Sequence, residues 1–199
     1  MAWNKYYIVI TNQKGTQPAD VITRLGLTGY IPVGETNFLS TNKSDDLFIG
    51  NYEDKIIIAN PDLTYPFFSE QPADFEKKVV AAFPDSEIAI LMENSTVGQF
   101  GYAIIENGKR IRIKDGCDGE IYNDIGELLP EEQTIFAGHI FDPEELDEMR
   151  EDMNEEEVQN MVTFEAGWRT PAEISKRYFG DRIDNLDIDA IKLTRYRKA

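Results

Sequence analysis

The chain has 199 residues, 41% of them apolar and 11% aromatic, which suits one well-buried core and excludes a long disordered polymer. Its formal net charge of −17 repels phosphate backbones and anionic lipid, so nucleic acid and membrane surfaces are not expected partners; the charge favours solubility, cationic ligands or a basic protein surface. Cys117 is alone, which rules out an internal disulfide and a zinc cluster of several thiolates.

Residues 6–11, Tyr-Tyr-Ile-Val-Ile-Thr, are β-branched and aromatic and predict a buried strand. The chain enters this run without a basic, then apolar, leader, and no window approaches the roughly 18 apolar residues of a membrane helix, so the cytoplasm is the expected compartment. Pro18 opens a short helix that Gly26 closes. Residues 28–44, rich in Gly, Thr, Asn and Ser, predict an irregular connection. Residues 47–52 and 55–59 form a hairpin around Glu53-Asp54, ended by Asn60-Pro61. A helix follows over 72–83, with Phe75, Val79, Ala82 and Phe83 at helical spacing. Residues 87–93 then return to strand.

The most specific local signal is Asn107-Gly108 between two β-rich runs. Both central residues of a type I′ turn need positive φ, and this dipeptide tolerates it best. In the second run Ile111 and Ile113 alternate with Arg110, Arg112 and Lys114, which predicts one buried and one wet face.

From residue 142 to 157 ten carboxylates face the single base Arg150. Asp142-Pro143 supplies a cap and an N1 proline, and Leu146, Met149, Met153, Val158 and Met161 keep a narrow apolar seam. An exposed acidic helix over 143–161 is expected, with Glu144, Glu148, Glu151 and Glu155 as the binding surface if a basic partner exists and as a solvated face otherwise. Phe164-Glu-Ala-Gly-Trp-Arg-Thr-Pro171 predicts a turn. Its Trp168 and Arg169 are the residue types most enriched at binding hot spots, although a core-edge indole and a carboxylate-paired arginine would explain them as well. A helix over 171–179, capped by Thr170 and closed by Gly180, leads to a last strand over 188–196.

No constellation fixes a reaction. His139 is the only histidine and has no nucleophile beside it in sequence, and the acidic neighbours of Cys117 raise a thiol pKa. Asp115, Asp118 and Glu120 crowd a turn without the ligand order of a calcium loop. No metal or cofactor is assigned. With 37 acidic residues, some carboxylate pair at hydrolytic spacing is inevitable, so only a pocket can give such a pair meaning.

Tyr102-Ala-Ile-Ile-Glu-Asn-Gly-Lys-Arg-Ile-Arg112, then Gly119-Glu-Ile-Tyr-Asn-Asp-Ile-Gly-Glu-Leu-Leu-Pro-Glu131, resembles an uncharacterised family of bacterial cytosolic proteins, a domain of unknown function. Ile174-Ser-Lys-Arg-Tyr-Phe-Gly180 and Ile191-Lys-Leu-Thr-Arg-Tyr196 extend the likeness, which covers the second half of the chain. It implies architecture and a bacterial cytosol, and carries no activity.

The expected fold is one α+β domain over residues 1–199: a mostly antiparallel sheet built from hairpins, with helices packed on one face. The expected function is a non-enzymatic, immunity-like or regulatory binding protein with an acidic surface. The alternative is a carboxylate-dependent hydrolase, which would show two acids converging in a partly apolar cleft with one pKa raised.

Overall fold

The computed structural model describes residues 3–199. Strand β1 (Asn4–Ile10) is the centre of a nine-stranded sheet. It pairs antiparallel with β4 (Lys55–Ala59) on one side and β5 (Ile88–Asn94) on the other. Its β-branched run has both faces covered, as a period of two requires: Tyr6, Ile8 and Ile10 enter one core, and Tyr7 and Val9 the other.

β3 (Asp46–Tyr52) forms the expected hairpin with β4, turning at Glu53 with φ 53°. β6 (Gln99–Glu106) and β7 (Lys109–Cys117) form the Asn107-Gly108 hairpin, with φ of 50° and 73° at the two turn residues. β8 (Glu120–Gly126) ends that side of the sheet. At the other end β9 (Lys192–Lys198) lies between β3 and β2 (Tyr30–Asn37). Every pairing is antiparallel.

Helices cover both faces, which corrects the expectation of one. α1 (Pro18–Arg24) and α3 (Asp74–Ala82) place Val21 and Val79 on the Ile8 face. The long α6 (Glu155–Phe179) places Ile174, Tyr178 and Phe179 on the Tyr7 face. Continuously apolar strands such as β1 and β5 would otherwise leave one face bare to water. Among the described residues no helix is long and apolar enough to cross a membrane.

Two local expectations are also revised, and two short helices join the expected elements. The connection at 28–44 contains β2, an edge strand in which Pro32 stands beside a bulge, where a missing N–H is tolerated. A helix at the 119–131 motif, α4 (Pro130–Ala137), has no apolar periodicity to announce it, and α2 (Pro61–Thr64) is a single turn capped by Asn60. The acidic stretch is two helices: α5 (Pro143–Asp152) stops at Met153, whose backbone is extended, and Asn154 starts α6 by accepting from the amides of Glu156 and Glu157.

α6 then runs through 164–171 without a turn. Thr170 is no cap, since its hydroxyl donates to the Ala166 carbonyl at 2.7 Å. An internal proline costs about 3 kcal/mol, and burial of Ala166, Gly167, Ala172 and Ile174 around Pro171 offsets it. Gly167 permits the approach to the sheet, because a Cβ there would lie 2.3 Å from the Phe100 ring.

The alternation on β7 holds only in part: Ile113 is buried as expected, but three of its neighbours are not where the pattern puts them. Ile111 is the extra residue of a bulge opposite Ile104 and Ile105 and is exposed, while Arg112 and Lys114, paired with Ile104 and Tyr102, lie on the Tyr7 face, which helices cover, and are buried. Both Glu132 oxygens accept from Arg112, at 2.9 and 2.7 Å, and Glu132 also takes the Tyr102 hydroxyl and the Leu129 amide. Asp124 bridges Arg112 and Lys114. This closed network fixes α4 to the sheet and leaves its carboxylates no free role.

Candidate functional site

The antiparallel register of β1 and β5 sets Lys5 directly opposite Glu93 on the face that carries Tyr7 and Leu91. α6 crosses above this pair and brings Trp168, Arg169 and Ala172 over the strand ends. Gly180 ends α6 in a left-handed conformation (φ 81°), and the returning chain delivers Arg182 and Asp184. Trp3 closes the remaining side. Trp3, Glu93, Trp168, Arg169, Ala172, Arg182 and Asp184 line an open cavity of about 260 Å³.

Glu93 is 8% exposed. Among the described residues its hydrogen-bond partner is Trp3, whose Nε1–H donates to Oε2 at 2.9 Å. Burial pushes its carboxyl up to about 7, and the charge of Asp184 adds to the shift while the Trp3 bond and the charge of Arg182 oppose it. Arg182 is committed elsewhere: Nε and Nη2 hold both oxygens of Asp184 at 2.9 and 2.7 Å, and Nη1 reaches Glu173 at 3.0 Å. The same fork holds Asp184 below the ordinary carboxylate range. Two carboxyls thus share one cavity with their proton affinities moved in opposite directions.

Two further groups lie beneath. Burial draws Lys5 down to about 8, with the charge of Asp189 opposing. Its ammonium donates to the carbonyls of Leu39 at 2.7 Å and Phe38 at 3.4 Å, and lies 5.4 Å from the centroid of the Trp3 ring. The Tyr7 hydroxyl is buried without a hydrogen-bond partner, and burial, then the charges of Glu93 and Asp184, raise its pKa.

Trp168 and Arg169 therefore meet at this cavity, though in mid-helix. Arg169 pairs with Glu165 as the sequence allowed, Nε to Oε1 at 2.8 Å, and its Nη2 donates to the Ile140 carbonyl at 3.2 Å. Glu144, Glu148 and Glu151 stand exposed on α5, and Glu155 opens α6, where Arg150 reaches it at 3.2 Å. None of these four glutamates lines the cavity.

Cys117 donates to the Val97 carbonyl, and exposed His139 holds a strained φ of 55°. Asp115 accepts from Asn123 at 2.7 Å, and no three metal-ligating side chains converge among the described residues. A wider groove of about 480 Å³ passes Asn51, Tyr52, Leu186 and Ile191, but its ionisable walls, Glu53, Asp187 and Lys192, are exposed.

Sequence reasoning missed Trp3, Lys5, Glu93, Arg182 and Asp184. A signal existed for two of them. Lys5 and Glu93 are charges bordering the apolar runs of central strands, at the parity of buried Tyr7 and Leu91.

The model of a family of unknown function, DUF6928, matches residues 26–162. That stretch holds Glu93, the Arg112–Glu132 network and α5, whereas the other cavity residues lie outside it. No curated protein and no solved structure matches the chain.

Proposed function

We propose that this protein, which belongs to the DUF6928 family of unknown function, is a binding protein that holds a small polar molecule between Trp3, Trp168 and Glu93. The observation that supports this reading is Glu93 itself: a carboxyl more than nine-tenths buried, facing a cavity, with one indole as its protein donor. Burying such a group without full pairing is costly, and a ligand donor would remove the cost. The cytosol is the setting this reading assumes. The exposed carboxylates of α5 offer a second surface, which we assign to a basic protein partner.

The test is capture of small molecules from a cell extract by the purified protein, read by mass spectrometry, with Glu93→Gln as control. Compounds retained by the wild type and lost from a folded E93Q variant are expected. Equal retention by both would refute the assignment.

A second reading, a carboxylate-dependent hydrolase, has one observation in its favour. Glu93 is raised and Asp184 lowered within one cavity, the division of labour that acid–base hydrolysis needs. Hydrolysis of an ester or glycoside that is lost in both E93Q and Asp184→Asn would support it over simple binding.

A further inference from the structure

We infer that the cavity takes a small zwitterion, an ammonium and a carboxylate on one short skeleton, of the free α-amino acid class. This rests on the binding reading and names its ligand chemistry.

The wall carries both signs of charge with spare capacity on each. On the acidic side Glu93 accepts from Trp3 through Oε2 alone, so Oε1 has no protein donor among the described residues. Asp184 is the poorer acceptor, because Arg182 already donates to both its oxygens. On the basic side Arg169 spends Nε on Glu165 and Nη2 on the Ile140 carbonyl, and Nη1 donates to nothing among the described residues. Arg182, by contrast, uses Nε and both Nη atoms on Asp184 and Glu173. One carboxylate and one guanidinium are therefore incompletely used at the same cavity, and no ion pair joins them to each other.

A cation alone would satisfy Glu93 but face two guanidiniums. An anion alone would satisfy Arg169 but face Glu93 and Asp184. A molecule carrying both charges satisfies each side with a charge-assisted hydrogen bond. Size agrees: at about 30 Å³ per water-sized group, a cavity of about 260 Å³ admits a molecule as large as leucine. The two indoles suit a short apolar side chain.

The experiment titrates the wild-type protein with L-alanine, L-valine and L-leucine, and with two truncated forms of leucine, 3-methylbutylamine and 4-methylpentanoate. The readout is the indole N–H signals of the two tryptophans by NMR. At least one amino acid should bind, and for leucine the expected advantage over either truncated form is about tenfold or more. In E93Q the preference over 4-methylpentanoate should vanish, and in Arg169→Gln the preference over 3-methylbutylamine should vanish. Arg169 is exposed, so R169Q is expected to fold.

A truncated form that binds as tightly as leucine would overturn the zwitterion and leave the binding reading standing. No response to any amino acid up to about 10 mM, a binding free energy weaker than about 3 kcal/mol, would also overturn it. The extract capture then decides the binding reading separately.

Discussion

Replacing Glu93 with glutamine should stabilise the protein, and by an amount that grows with pH. The carboxyl is raised from 4.5 in the open chain to about 7 in the folded state. Between those values the folded state holds a proton that the unfolded state has released, so stability falls as pH rises through this window. The stabilising contribution of the protonated acid is complete below pH 4.5 and gone above 7. At 1.36 kcal/mol per pH unit the loss comes to about 3 kcal/mol. Glutamine keeps an acceptor for the Trp3 indole and never ionises. E93Q and wild type should therefore be nearly equal at pH 4.5, and the variant more stable by about 3 kcal/mol at pH 8, or on the order of 5–10 °C in Tm. Urea unfolding of both proteins across this range is the assay. Other carboxyls titrate in the same window but cancel in the difference. A wild-type-to-variant difference that stays flat with pH would refute the reasoning.

Glu132→Ala should cost about 3–5 kcal/mol in urea unfolding, because it strips the main partner from buried Arg112. Gly167→Ala should cost about 1–3 kcal/mol, since its Cβ would overlap the Phe100 ring across the contact of α6 with the sheet; an unchanged Tm would mean that α6 sits farther out. Replacing Glu144, Glu148, Glu151 and Glu155 together with glutamine should raise stability by a few tenths of a kcal/mol. The same variant should weaken any complex with a basic partner, and a binding assay at low and high salt would show whether the wild-type complex is salt-sensitive and the variant is not.

The parts of the fold governed by local rules could be read from the sequence. Asn107-Gly108 turns where a positive φ is required, the Asp142-Pro143 cap starts a helix, and Gly180 ends one. Features settled by tertiary packing could not. Pro171 reads as a helix start because the cost of an internal proline is local, while the burial that offsets it is assembled from Phe100 and the sheet. The bulge that leaves Ile111 exposed has no mark in the sequence, and Arg112 and Lys114 read as solvent-facing although the helices on their face of the sheet bury them. Helices on both faces were legible in principle, since Ile8, Val9 and Ile10 are consecutive apolar residues in one strand.

The cavity was half visible. Trp168 and Arg169 stood out by residue type, and the structure does place them in its wall. In the sequence Glu93 is only the polar end of a strand, because the pairing of β5 with β1 and the crossing of α6 are what bury it. The acidic glutamates of α5 drew attention by number, yet like charges in water perturb one another little, and a single desolvated carboxyl is the stronger chemical signal.

The most direct measurement is the titration of the Glu93 carboxyl carbon by NMR, assigned by its loss in E93Q. A midpoint near 7 is expected, with the Trp3 indole N–H signal moving at the same pH. A midpoint near the ordinary value of 4.5 would contradict it, because a solvated carboxylate there would have no unmet demand for a ligand to fill.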